Sequence, residues 1–170
     1  TEPILLIGLG GVGAKLTENA KKSLNSDCLL ISHDQKDLTP ENSIKISTKS
    51  VINPSTHLIR GCTLEASKEI KEKISNYSTI ILMSNLAGKA GAGIGPVISR
   101  ICKQEQKNVL SFAIMPFKFE KERIFQSGIA LKRIRQDSQC TIVLDNDALL
   151  DSNPDLTQKQ CYEISNKTIE

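Results

Sequence analysis

Four glycines fall within eight positions in the stretch Asn85-Leu86-Ala87-Gly88-Lys89-Ala90-Gly91-Ala92-Gly93-Ile94-Gly95-Pro96, immediately after the apolar run Ser78-Thr79-Ile80-Ile81-Leu82-Met83. The apolar run has strand character, and after the glycines Ile94, Val97, Ile98 and Ile101 recur at helical spacing. The stretch therefore joins the carboxyl end of a strand to the amino end of a helix. Glycines at such a junction can take positive φ and admit a ligand to the backbone, and the helix that follows offers unpaired N–H groups and partial positive charge. That combination is a seat for phosphate. The other reading is a tight turn or a close packing of strand on helix.

A second junction of the same kind stands near the start. Ile4-Leu5-Leu6-Ile7 is a continuous apolar run suited to a strand buried on both faces, and it leads into Gly8-Leu9-Gly10-Gly11-Val12-Gly13. Val12, Leu16, Ala20 and Leu24 then repeat every four residues, with Lys15, Glu18, Lys21 and Lys22 turned away. Strand, glycine turn and amphipathic helix form the opening half of a mononucleotide-binding unit, although the glycine pattern alone also occurs as a packing turn. The next strand, Cys28 to Ser32, ends at His33-Asp34-Gln35, which puts an acid about twenty positions beyond the glycine turn. Such an acid holds a ribose hydroxyl in a dinucleotide enzyme, faces the terminal phosphate and its Mg²⁺ in a triphosphate site, or caps a turn. His33 and His57 have no partner pattern and read as loop or surface residues.

Along the rest of the chain, Ile44-Lys45-Ile46 predicts a short third strand, Ser47 to Gly61 a loop, and Thr63 to Tyr77 a helix. A helix to about Lys107, a strand from Val109 to Met115, a helix from Glu120 to Arg135 and a strand from Cys140 to Leu144 follow. The stretch Leu156 to Glu170 opens a last helix without a capping glycine, which is expected to be truncated. The alternation predicts an α/β fold, a Rossmann-like parallel sheet of about six strands with helices on both faces and the ligand at the carboxyl ends of the strands. The two glycine junctions, after strands one and four, should meet where strand order reverses.

The 170 residues suit one domain, residues 1–170. The 22 basic and 19 acidic residues are scattered, an excess too small and diffuse to argue for nucleic acid. No apolar run approaches the roughly 20 residues of a bilayer-spanning helix, and no secretory pattern is evident, so a cytoplasmic location without direct membrane insertion is expected. Five widely spaced cysteines without a CxxC pair read as small core residues rather than a zinc or disulfide framework. No P-loop pattern is present in either glycine stretch.

These segments, in this order, resemble the tubulin and FtsZ superfamily of polymerising GTPases, particularly its archaeal forms. Asn85 to Pro96 is similar to the family's signature loop GGGTGTG, with Gly88, Gly91, Gly93 and Pro96 in register. Gly8 to Gly13 is similar to its first glycine loop, Ser32 to Gln35 to its second, and Asn53-Pro54 to its third. Pro116 to Glu120 with Arg123 resembles the loop that reaches ribose and phosphate, and Asp145 to Leu149 the segment whose Asn contacts guanine. Tyr162 and Asn166, one turn apart, match the aromatic that stacks on guanine and the amide that bonds its edge.

The resemblance implies a nucleotide-binding set of Gly10, Gly11, Gly13, Asp34, Gln35, Gly88, Lys89, Gly91, Ala92, Gly93, Glu120, Arg123, Asn146, Tyr162 and Asn166. It implies GTP or GDP with Mg²⁺ as ligands, filament formation by the full-length protein in cell division or cell shape, and a separate membrane-tethering partner. Catalytic acids are expected from a C-terminal activation domain of the neighbouring subunit, a region absent from these residues, so this chain alone should hydrolyse GTP weakly or not at all. The departures are Ala90 and Ala92 at the family's threonines, Lys89 at a glycine, Ala14 and Lys15 where Asn is usual, and Lys167 where an acid is common. They leave open a scaffold of the same fold whose site no longer binds GTP. A dinucleotide-dependent enzyme using Gly8, Gly10, Gly13 and Asp34 is the third reading, and it leaves the glycines after strand four unexplained.

Overall fold

The apolar runs become strands because residues alternate into two separate cores. In β1 (Ile4–Leu9), Leu5, Ile7 and Leu9 enter one hydrophobic cluster and Leu6 another, so the strand is buried on both faces as a central parallel strand must be. Burying each such side chain contributes roughly 1.5–3 kcal/mol, against about 1 kcal/mol for a helix cap. The sheet therefore decides the fold and the caps adjust it.

The computed structural model describes residues 3–24, 26–48, 51–116 and 121–145. The remaining elements are α1 (Gly10–Leu24), β2 (Asp27–Ser32), a single 3₁₀ turn (Gln35–Asp37), β3 (Ser43–Lys45), α2 (Thr56–Glu65) and α3 (Ser67–Ile74). They continue with β4 (Thr79–Asn85), α4 (Lys89–Gln104), β5 (Asn108–Met115), α5 (Lys121–Asp137) and β6 (Cys140–Asp145). All neighbouring strands pair in parallel, in the order β3-β2-β1-β4-β5-β6. This is the expected α/β sheet of six strands. Helix α1 packs on one face through Leu16 and Ala20 against Leu6, Met83 and Ile114. Helix α4 occupies the other face through Ile94, Val97 and Ile98, flanked by α2, α3 and α5.

Three elements differ from expectation. Helix α2 begins inside the stretch read as a loop, because the Ser55 hydroxyl accepts a hydrogen bond from Leu58 N–H at 3.2 Å and caps a helix that carries Gly61 in its interior. The helix expected over Thr63 to Tyr77 is two helices, broken at Ala66 (φ −90°, ψ 9°). Finally, α4 starts at Lys89, so Gly91, Gly93 and Gly95 lie inside a helix rather than in a loop. Of the cysteines, Cys62 and Cys102 are buried, Cys28 is half-buried, and Cys140 is exposed at the start of edge strand β6, contrary to a core role for all. The expected last helix lies outside the described residues, and no described helix is long and apolar enough to cross a membrane.

Candidate functional site

Strand order reverses between β1 and β4, which pair directly from Ile4↔Thr79 to Leu9↔Ser84. The helices that leave these two strands go to opposite faces, so their amino ends open a crevice at the carboxyl edge of the sheet. The two glycine segments meet there as expected: a Cβ placed on Gly10 would stand 2.9 Å from the Cβ of Ala90. Gly10 has φ +69°, the left-handed region, and among the described glycines it alone takes positive φ.

The other expected glycines have different partners. Gly8 and Gly13 let β1 and α1 cross closely, since a Cβ on Gly8 would approach the Gly13 carbonyl oxygen to 2.5 Å and one on Gly13 the Met83 carbonyl oxygen to 2.8 Å. Gly11 lies 3.0 Å, measured from such a Cβ, from the Asp37 carboxylate. At Gly91 a Cβ would overlap the backbone of Asn85, and at Gly93 it would press on Ile59 and the Thr56 carbonyl of α2. At Gly95 a Cβ would meet the tip of Ile134 on α5 at 3.1 Å, with Leu9 Cδ1 at an ordinary contact distance of 3.7 Å. The packing reading thus accounts for Gly91 and Gly93, while Gly88 is the cap residue of α4, at φ −89° and ψ 152°.

What α4 offers a ligand is its unpaired first turn. Gly88 N–H donates to the Asn85 carbonyl at 3.1 Å, and the helical ladder opens with Ala92 N–H to the Gly88 carbonyl at 3.0 Å. Lys89, Ala90 and Gly91 therefore have no intrahelical acceptor for their N–H groups. Lys89 is exposed at this positive helix end, where a cation is unfavourably placed unless an anion joins it. Its ammonium donates to the Asn53 side-chain oxygen. Asn53 itself has φ +52°, a strained conformation that Asn tolerates better than most residues.

A cavity of about 450 Å³ adjoins this end of α4, lined by Asn53, Ser55, Thr56, Gly88, Lys89, Ala92 and Gln126 among others. The amino end of α2 also opens onto it. Thr56 Oγ1 donates to Gln126 Oε1 at 3.3 Å, and Ser127 Oγ donates to the Leu86 carbonyl at 2.6 Å, which holds α5 against the β4–α4 connection.

Asp34 caps the 3₁₀ turn, accepting from Lys36 N–H at 3.1 Å and pairing with Lys36 Nζ at 3.5 Å. The Lys36 N–H bond, with the nearby ammonium, holds its carboxyl below the usual range. Gln35 is exposed and opens the turn. The carboxylate that stands nearest the glycines is Asp37, which accepts from Ser32 Oγ at 2.9 Å beside Gly11. Sequence reading passed over Asp37, Thr56 and Gln126, whereas Asn53, beside a proline in a polar stretch, was reached through the likeness of Asn53-Pro54 to the family's third loop. Glu120, Asn146, Tyr162 and Asn166 lie outside the described residues, as does the side chain of Arg123. Among the described residues no group of three or more His, Cys, Asp or Glu could hold a metal ion. Mg²⁺ bound mainly by phosphate oxygens and water needs no such group.

Comparison with known proteins agrees with this geometry. A family model described as Tubulin/FtsZ family, GTPase domain, matches residues 53–154. The cell division protein FtsZ 2 of Halobacterium salinarum is 27% identical over 98% of the chain and 44% of its own length. A solved FtsZ dimer from M. jannaschii superposes with TM-score 0.86 at 20% identity, over 99% of the chain and 52% of that protein. CetZ2 from Haloferax volcanii, solved as a GTPγS-bound protofilament, gives TM-score 0.80 at 19% identity, over 98% of the chain and 55% of that protein. The chain thus spans about half the length of these relatives.

Proposed function

The chain belongs to the Tubulin/FtsZ family as a GTPase domain, and from that premise we propose that its β1/β4 crevice binds the phosphates of GTP or GDP. The observation that carries the reading is the abutment of Gly10 on Ala90, which sets the open first turn of α4 beside the turn into α1. The N–H groups of Lys89, Ala90 and Gly91 donate to phosphate oxygens, and Gly10 and Gly11 leave the backbone open on the facing side. Lys89 releases Asn53 and turns its ammonium to the phosphate, standing in for the hydroxyls that Ala90 and Ala92 lack. Gly13 and Gly93 serve the site indirectly, by keeping α1 and α4 close to their neighbours. Ribose and base fall to Glu120, Arg123, Asn146, Tyr162 and Asn166.

Asp34 and Gln35, at the neighbouring turn, are the protein groups that would face a Mg²⁺ ion bound chiefly by phosphate oxygens and water, and such an ion would supply neutralisation of phosphate charge. In this reading the chain holds the nucleotide, the acids that activate water come from a second subunit, and the chain alone hydrolyses GTP weakly or not at all. Filament formation in the whole protein, a cytoplasmic location and a separate membrane tether belong to the same reading. Family membership removes the dinucleotide enzyme from consideration.

Calorimetric titration with GTP, ATP and NAD tests the proposal. GTP should bind and NAD should not. Lys89→Glu should weaken GTP at least about tenfold while leaving the thermal midpoint equal or higher, since an acid suits a helix amino end. Unchanged GTP affinity in Lys89→Glu contradicts the proposal. Silence with every nucleotide points instead to the scaffold that has lost its ligand.

A further inference from the structure

A second cavity, of about 270 Å³, lies on the helical face between α2, α3, α4 and α5. It shares no lining residue with the cavity beside Lys89. Its walls bring together Arg60 of α2, Lys71 of α3, Arg100 of α4 and Arg133 of α5, against one carboxylate, Asp137. These four cations come from four helices and are far apart in sequence, which is why the chain's scattered charge gave no sign of them.

Asp137 is a fixed pin rather than a neutralising partner for the whole cluster. Its side chain is only 3% exposed, and it pairs with Arg100 Nε at 3.4 Å and with Lys103 Nζ at 3.8 Å. Lys71 pairs at 3.8 Å with Glu105. Among the described residues, Arg60 and Arg133 form no ion pair, and they line the same cavity from α2 and α5, the two helices that both pack on α4. Like charges gathered this way repel, and an anion between them relieves the repulsion. The floor is formed by α4, where Pro96, Val97 and Ile101 lie largely covered beside Arg100 and Gln104, and the accessible apolar surface is Leu64 at the rim, 54% exposed.

We propose that this groove docks an acidic segment of a partner protein, with one or more carboxylates held between Arg60 and Arg133 and an apolar side chain laid on Leu64 and the α4 floor. An inorganic anion would leave Leu64 uncovered. A nucleic-acid backbone is followed by an extended row of cations, whereas these enclose a small pocket. Acidic peptides with apolar anchors satisfy both halves at once, the charges steering the encounter and the anchor holding it.

The test is fluorescence anisotropy of the 170-residue chain with a labelled short peptide of glutamates interspersed with leucines. Controls are the same peptide with lysine replacing glutamate, polyglutamate, and oligothymidylate. The glutamate–leucine peptide should bind, and raised salt should weaken it. Arg60→Gln combined with Arg133→Gln should weaken it at least about tenfold at an unchanged thermal midpoint, and Leu64→Ser about threefold. Lys89→Glu should leave it unchanged, which separates this groove from the nucleotide site whatever the fate of the GTP reading. Equal binding by the double variant, by the lysine peptide or by polyglutamate overturns the proposal. So does tighter binding of oligothymidylate that is lost in the same double variant.

Discussion

The two glycine segments look alike as sequence and are built for different reasons. In Gly8 to Gly13 one glycine is needed for backbone conformation, Gly10 at φ +69°, and two more let a strand and the helix that follows it cross closely. In Gly88 to Gly95 none takes positive φ, and the glycines are spent on closeness: Gly91 to the end of β4, Gly93 to α2, Gly95 to α5. The first segment bends the chain, while the second packs a helix tightly so that its amino end reaches the crevice. Phosphate binding at the second segment then falls to helix N–H groups rather than to a flexible loop.

Alanine substitutions can break this comparison, and their effects should rank by what a new Cβ meets. Gly91→Ala sets a methyl into the backbone of Asn85, which cannot swing aside, and should cost about 3 kcal/mol or more in denaturant unfolding. Gly10→Ala forces an L side chain into the left-handed region beside Ala90 and should cost about 1–2 kcal/mol. Equal costs at the two positions would erase the distinction. Gly61, inside α2 with open space around its Cβ, is the control: Gly61→Ala should stabilise by about 0.5–1 kcal/mol. Gly95→Ala presses on the tip of Ile134, which gives way, and touches Leu9 at ordinary contact distance, so helix propensity offsets the contact and the net change should stay within about 0.5 kcal/mol.

The smallest effect separates the segments by pH. Only the first is flanked by a titrating turn, in which the Lys36 N–H holds the Asp34 carboxyl below its ordinary value. A lowered folded pKa means stability that is present above the unfolded carboxylate value and lost as pH falls through the folded one. Acidification should therefore lower the exchange protection of the Lys36 and Asp37 amides, taken relative to their intrinsic rates at each pH, before it touches Lys89 to Gly91, and Asp34→Asn should remove the difference.

The sheet was legible in the sequence because parallel strands buried on both faces leave continuous apolar runs, and the switch point followed from their order. The glycine roles were not, since nothing near Gly93 or Gly95 in the chain names Ile59 or Ile134 as the neighbour. Helix α2 was hidden for a local reason: Gly61 and Asn53-Pro54 read as punctuation, and the Ser55 cap that overrides them is one hydroxyl. Asp34 was singled out by its spacing, yet Asp37 is the acid beside Gly11, placed there by a 3₁₀ turn that spacing does not foresee. Likewise Lys89 was recognisable as unusual, whereas its partner Asn53 stands 36 positions earlier.

The most direct measurement is a map of backbone amide shifts in the ¹⁵N-labelled chain during titration with GTP. Binding in the crevice predicts that the largest shifts fall together on Gly10, Gly11, Lys89, Ala90 and Gly91, with Arg60 and Arg133 unmoved. Shifts that gather around Arg60 and Arg133, or that reach one glycine segment and leave the other still, contradict it.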